Sequence, residues 1–276
     1  MKHLPARVVA VSLSTLFLLA CNREAPAPVT APPSPATPSA PTQQAAPLAD
    51  VIETTSDYVI GISYPPSAAK YPGLAAELQR YANAARAELL QAVKARPAGS
   101  HGGSPFDLSI SFNDVLESPT LVAVAADGSS YTGGAHGAPL IARFVWLPRE
   151  DRLLTASDLV PDAGSWEPIA ANVREQLLTA LSQRVDADGL PPAERLEVVK
   201  NASRMIEEGT EPTAATFAMF EPVVGPSGKL RALRFVFPPY QVGPYSDGTQ
   251  TVEVPASVLL PHVAPAYRGL FKADVT

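Results

Sequence analysis

Eight prolines fall within the 29 residues from Asn22 to Asp50, and they separate a part of the chain that cannot pack from a part that can. Alanine, serine and threonine fill most of the rest of that segment, without an aromatic residue or a hydrophobic period. Such a stretch cannot bury enough apolar area to offset the entropy of ordering it. It predicts a tether over residues 21–50, spanning roughly 30 Å as a coil and roughly 90 Å in polyproline II. The folded body therefore begins near Val51 and has about 226 residues, enough for a sizeable core. The chain's one cysteine is Cys21, so no disulfide is available to that body and packing must hold it.

Ahead of the tether, Lys2 and Arg7 form a short basic region. Val8 to Ala20 follows as an apolar run of about 13 residues, too short to span a bilayer and suited to a signal peptide over residues 1–20. Leu18-Leu19-Ala20-Cys21 resembles a lipobox. That resemblance implies cleavage before Cys21 and acylation of its thiol, palmitate included, with the cysteine as the mature N-terminus. Two acyl chains anchor stably where one is marginal. Asn22 stands where an aspartate in many Gram-negative lipoproteins signals inner-membrane retention. The resemblance thus implies a lipid-anchored envelope protein, in the outer membrane and facing the periplasm. No later run reaches the roughly 18 apolar residues of a membrane span.

Loss of the leader removes two basic side chains and takes the formal net charge from −6 to −8. An acidic chain lacks the basic face that nucleic acid requires. It favours a cationic partner, though mainly it is a solubility feature.

Beyond Val51, two hydrophobic periods alternate irregularly. Tyr58, Ile60 and Ile62 share one side of a strand that Pro65-Pro66 ends. Leu74, Leu78, Tyr81, Ala85, Leu89 and Val93 recur at helical spacing, with Pro72 at the start and Pro97-Ala98-Gly99 at the stop. Phe106, Leu108, Ile110 and Phe112 alternate as a strand. Strands also read over Thr120 to Ala126 and Leu140 to Leu147. Thr155 to Leu159 reads as a turn into helix. Trp166, Ile169, Ala170, Val173, Leu177, Leu181 and Val185 form an apolar helical stripe. Pro191-Pro192 opens a further helix with Leu196, Val199 and Ile206. Strands return at Thr216 to Val224, Leu230 to Phe237 and Thr251 to Val254. The pattern predicts an α+β fold of antiparallel sheets with packed helices, with two small subdomains at 51–130 and 131–276.

Two stretches carry a likeness. One is Tyr131-Thr132-Gly133-Gly134-Ala135-His136-Gly137, followed by Phe144, Leu153 and Asp158-Leu159. The other runs from Phe235 through Pro238-Pro239-Tyr240-Gln241-Val242-Gly243-Pro244-Tyr245-Ser246-Asp247-Gly248 to Val252, Val254 and Pro255. In this order they resemble the C-terminal envelope domain, of unknown function, of RsiV-type anti-sigma factors and PdaC-type peptidoglycan deacetylases. Glu208-Gly209-Thr210 to Phe217 resembles that family's segment before its last strands. The Tyr58 strand and its helix resemble the small companion domain. Together these cover roughly residues 55–262. In the RsiV-type receptors this domain binds lysozyme, so the resemblance implies a lysozyme-like protein or peptidoglycan as partner. The chain has no anti-sigma segment or deacetylase domain, so neither activity is implied.

The candidate binding residues are Tyr131, Gly133, Gly134, His136, Tyr240 and Tyr245. The two glycines permit backbone angles closed to other residues and so could aim His136; the alternative is that His136 locks the loop. Tyr131 reads as a strand-end residue that packs its ring and turns its hydroxyl to water. The two Pro-Tyr pairs form a stiff bend, suited equally to binding and to a structural corner. Asp247-Gly248 reads as a turn. Catalysis finds little support. His101, His136 and His262 lack the spacing of a metal site, and no metal or cofactor is expected. Ser67-Ala68-Ala69-Lys70 matches S-x-x-K, but its S-x-N and K-T-G companions are missing. The leading expectation is a lipid-anchored binding module. The alternatives are a cell-wall glycan-modifying enzyme using His136 and a structural envelope lipoprotein.

Overall fold

The computed structural model describes residues 48–96 and 104–273. The leader, Cys21, the tether as far as residue 47, His101 and the Pro97-Ala98-Gly99 stop lie outside the described residues. The described residues belong to one compact unit, 44–276.

That unit is α+β. Its larger sheet has six strands in sequence order: β1 (Val51–Thr54), β2 (Tyr58–Ser63), β3 (Phe106–Glu117), β4 (Val122–Tyr131), β5 (Ala138–Leu147) and β6 (Arg152–Leu153). Its smaller sheet is β7 (Phe220–Val224), β8 (Leu230–Phe237) and β9 (Gln250–Pro255). The helices are α1 (Pro72–Ala95), α2 (Ala156–Leu159), α3 (Trp166–Asp188), α4 (Pro192–Gly209), α5 (Ala256–Leu259) and α6 (Pro265–Arg268). No helix among the described residues is long and apolar enough to cross a membrane.

Among the described strands the pairings are antiparallel except β2 with β3, which run parallel. The exception follows from α1, because a parallel neighbour needs a long crossover where an antiparallel one needs only a turn. The Leu74, Leu78, Ala82, Ala85 and Leu89 stripe of α1 packs on Ile60, Leu108, Ile110, Val124 and Trp146. Gly73 lets the start of α1 sit on Trp146: a Cβ there would lie 2.6 Å from the indole Cζ2.

β4 is buried on both faces over Val122–Ala126. Val122, Val124 and Ala126 meet the α1 core, whereas Leu121, just ahead of the strand, and Ala123 meet a second one. That burial explains an unbroken apolar run where a one-sided strand would alternate. The second core places the α3 stripe from Trp166 to Val185 against Phe220, Leu233, Phe235, Phe237, Val252 and Val254. The division placed at residue 131 in the sequence falls at the last residue of β4, a strand that pairs with β5 in the same sheet.

One strand is shorter than its pattern. β7 starts at Phe220, not Thr216. Thr213 Oγ1 accepts from the Thr216 N–H and contacts the Thr216 hydroxyl, closing a side-chain turn that competes with extended pairing. The turn delivers Phe217 into the core, stacked on Trp166 at 5.4 Å and edge-on to Phe235 and Phe237.

Candidate functional site

The two motif loops meet. The first joins β4 to β5, and the second joins β8 to β9. Gly133 and Gly134 take φ of 102° and 103°, and the place of a Cβ on either is open space. Only glycine adopts two such angles in succession without strain. The Tyr131 hydroxyl, expected to face water, instead donates to the Gly134 carbonyl at 3.1 Å and braces the loop. The chain then presents His136, exposed to solvent.

The second loop turns at Pro238–Gln241, where the Gln241 N–H donates to the Pro238 carbonyl at 3.1 Å. Pro239 fills the second position of this turn and Tyr240 the third, with φ 74°. A type II turn requires positive φ there and normally fills it with glycine. A tyrosine in that conformation is strained by about 1–2 kcal/mol. The loop is pinned from behind. The Gln241 side-chain amide donates to the Gly209 and Thr216 carbonyls, Val242 is buried, and Arg184 holds Asp247 at 2.7 Å. A Cβ on Gly209 would lie 1.9 Å from the Gln241 carbonyl oxygen, so the end of α4 and the loop touch backbone to backbone. The segment from Glu208 to Phe217 therefore supports the Pro-Tyr loop directly. Tyr245–Asp247 forms a helical turn and Gly248, at φ 67°, leads into β9.

His136 joins the two loops. Its ring stacks on Tyr245 with centroids 3.9 Å apart and planes 17° apart. Its Nε2 lies 3.1 Å from Tyr240 Oη and its Nδ1 lies 3.1 Å from the Gly137 carbonyl. A carbonyl only accepts, so Nδ1 carries the proton in that contact, and Nε2 of the neutral ring accepts from the Tyr240 hydroxyl. Tyr245 Oη donates to the Gly137 carbonyl at 3.3 Å, and the two tyrosine rings lie 5.7 Å apart. Tyr240 remains 56% exposed and Tyr245 36%. The result is an aromatic platform on the surface. Both ring nitrogens of His136 are engaged by a phenol and a carbonyl, not by a carboxylate.

The other chemical candidates are occupied elsewhere. Ser67 is buried, and its hydroxyl and N–H both donate to Asp114. Lys70 pairs with Glu117 at 2.8 Å. Serine and lysine of the S-x-x-K stretch thus each have a different partner, and Asp114 ties the turn after β2 to β3. Among the described residues no group of histidine, cysteine, aspartate and glutamate is arranged to hold a metal.

Sequence reasoning missed a charged ladder that links the two sheets. Asp127, Arg143, Glu221, Arg234, Glu253 and Arg231 alternate in sign along it. Glu221, Arg234 and Glu253 are direct cross-strand neighbours on β7, β8 and β9. Arg143 on β5 reaches across to Glu221 at 2.5 Å, with side chains 8% and 10% exposed. Hydrogen bonding to Arg234, then the Arg231 and Arg234 charges, hold the Glu253 carboxyl below the usual glutamate range against the effect of burial. The available signal was a charge set between apolar neighbours, as in Ala142-Arg143-Phe144 and Val252-Glu253-Val254.

Residues 229–257, which span β8, the Pro-Tyr loop and β9, match the model of a family described as a protein of unknown function, DUF3298. Two solved structures similar to the chain are described as DUF3298 family members. One, from Bacteroides fragilis, is 15% identical; the match covers 82% of this chain and 96% of that one, with a TM-score of 0.44. The other, from Pseudomonas aeruginosa, is 16% identical over 82% of this chain and 94% of that one, with a TM-score of 0.48. No curated protein matches the chain. The family match supports a DUF3298-type domain.

Proposed function

We propose that this DUF3298-type domain is a binding module of the cell envelope, and that the His136–Tyr240–Tyr245 platform is its contact surface. One observation carries the reading. Two loops about a hundred residues apart in sequence converge to expose three rings in mutual contact, and one of those rings stands on a backbone angle that costs stability. Rigid tyrosines offer large contact area at low entropic cost. The engagement of His136 by Tyr240 and Gly137 weighs for recognition over acid–base chemistry.

The motif resemblance to RsiV-type receptors supports a lysozyme-like protein or peptidoglycan as the ligand. A net charge of −8 after cleavage at Cys21 would speed the approach of a basic protein. Acylation of Cys21 would hold the module at the outer membrane, and the proline-rich segment would carry it toward the wall. Two measurements test this. Labelled palmitate should be incorporated by the wild type and not by Cys21→Ala. The full chain in detergent should bind lysozyme or sedimenting peptidoglycan, and Tyr240→Ala should abolish that binding. Binding of neither ligand, or binding that Tyr240→Ala leaves intact, would overturn the proposal.

A further inference from the structure

We infer that the platform recognises an uncharged sugar ring, a deepening that rests on reading these loops as the binding surface. The chain contains 48 charged side chains among 276 residues, counting Lys, Arg, Asp and Glu. None occurs from Gly128 to Ala142, and none from Phe235 to Ser246. These are the two stretches that build the platform. The nearest charge in the second loop, Asp247, is turned inward and paired with Arg184. A basic protein selected by the acidic surface would meet unpaired carboxylates at its contact, and these loops supply none: Asp247 is already paired.

What they supply matches a pyranose. Such a ring has an apolar C–H face and a rim of hydroxyls. Tyr240 and Tyr245 offer partly exposed rings, with His136 wedged against both. Around them lie Tyr240 Oη and Tyr245 Oη. Beside them the exposed Gly133-Gly134 backbone has open space where side chains would stand. Small-ligand sites pair an apolar or aromatic surface with a few fixed polar groups in this way. The rings are fixed before any ligand arrives, by the Tyr240 turn, the Gln241 clamp and the Arg184–Asp247 pair. Pre-organisation is what a small contact needs in order to bind measurably.

The test titrates the full chain in detergent with three probes. These are an uncharged N-acetylglucosamine oligosaccharide, a peptidoglycan glycan strand bearing its charged stems, and lysozyme. The inference expects saturable binding of the uncharged oligosaccharide, with Kd changing less than about twofold between about 0.05 and 0.5 M salt. Tyr245→Ala should weaken it about tenfold and Tyr245→Phe less than about threefold, because the ring and not the hydroxyl does the stacking. An unchanged melting temperature for both variants certifies the fold. Binding of the charged strand or of lysozyme without the uncharged sugar would overturn the sugar assignment and keep the platform as a binding surface. Sugar binding that Tyr245→Ala leaves intact would overturn the assignment to this site. Binding of none of the three would overturn the binding-module reading itself.

Discussion

Removing both partners of the Arg143–Glu221 pair should destabilise the protein far less than the sum of removing each alone. The two side chains are 8% and 10% exposed and 2.5 Å apart. Breaking a buried pair typically costs about 3–5 kcal/mol, because one charge is left without compensation. Arg143 would keep Asp127 at 3.0 Å and the Ala126 and Ala142 carbonyls, and Glu221 would keep Arg234 at 3.3 Å. These partners place each single variant at the lower end, about 3 kcal/mol for Glu221→Met or Arg143→Met. For a body of this size that lowers the melting temperature by about 6–12 °C. The double methionine variant leaves no orphaned charge at this pair. It should lose about 2–3 kcal/mol less than the sum of the two singles. Urea denaturation of wild type, both singles and the double closes the cycle. Single losses below about 1 kcal/mol, or a double variant equal to the sum, would refute the claim that these charges act as one buried pair.

Other outcomes follow from local geometry. Tyr240→Gly relieves the positive φ and should leave the melting temperature unchanged or slightly raised, whereas Tyr240→Val should lose about 1–2 kcal/mol in urea denaturation. Gly209→Ala places a methyl 1.9 Å from the Gln241 carbonyl, so the loop must shift; a loss of about 1–3 kcal/mol is expected, with altered tyrosine fluorescence. Ser67→Ala leaves Asp114 short of one donor and should cost about 1–2 kcal/mol, which a melt will read without any ligand. Acid should weaken the fold through Glu253 and Asp158. Arg234 and Arg231 hold Glu253 below its ordinary value. Burial pushes Asp158 up, but Thr155 and Arg152 outweigh it and bring it below. A depressed carboxyl contributes its stability above its unfolded pKa and loses it as pH falls through the folded one. Melting temperature should therefore drop below the ordinary carboxylate range, and the drop should shrink in Glu253→Gln.

Most elements were legible because their hydrophobic periods are clean. The α3 stripe from Trp166 to Val185 and the strand Leu230–Phe237 appear as their spacing predicts. What escaped depends on partners distant in sequence. β6 is only Arg152–Leu153, too short to carry a period, and exists because Leu147 and Trp146 pair with it. The parallel register of β2 with β3 is a property of the crossover and not of either strand's pattern. The start of β7 was overestimated because Thr216 and Phe217 read as strand, while the Thr213 side chain decides the turn. At the site, both loops were visible as motifs. Their contact was not, since no local spacing relates residue 136 to residue 240. Nor could the strained angle of Tyr240 be read from Pro-Pro-Tyr-Gln, a sequence equally compatible with a turn that keeps φ negative.

The platform is bipartite, and this constrains how it can work. Its histidine comes from a connection within the large sheet and its tyrosines from one within the small sheet. His136 has no hydrogen bond to any residue of its own loop except the neighbouring Gly137 carbonyl. Its ring is oriented by Tyr240 and Tyr245. The first loop therefore presents an ordered ring only while the second loop is in place, and the second is held in turn by Gly209, Thr216 and Arg184. The two sheets are joined by Arg143 and Glu221 and by the core shared among Ala123, Val145, Phe220 and Phe235. A fragment carrying either loop alone lacks the contacts that orient the rings. Binding should then require the intact pair of sheets, and Arg143→Met, on β5 outside both loops, should weaken it by loosening the geometry between them.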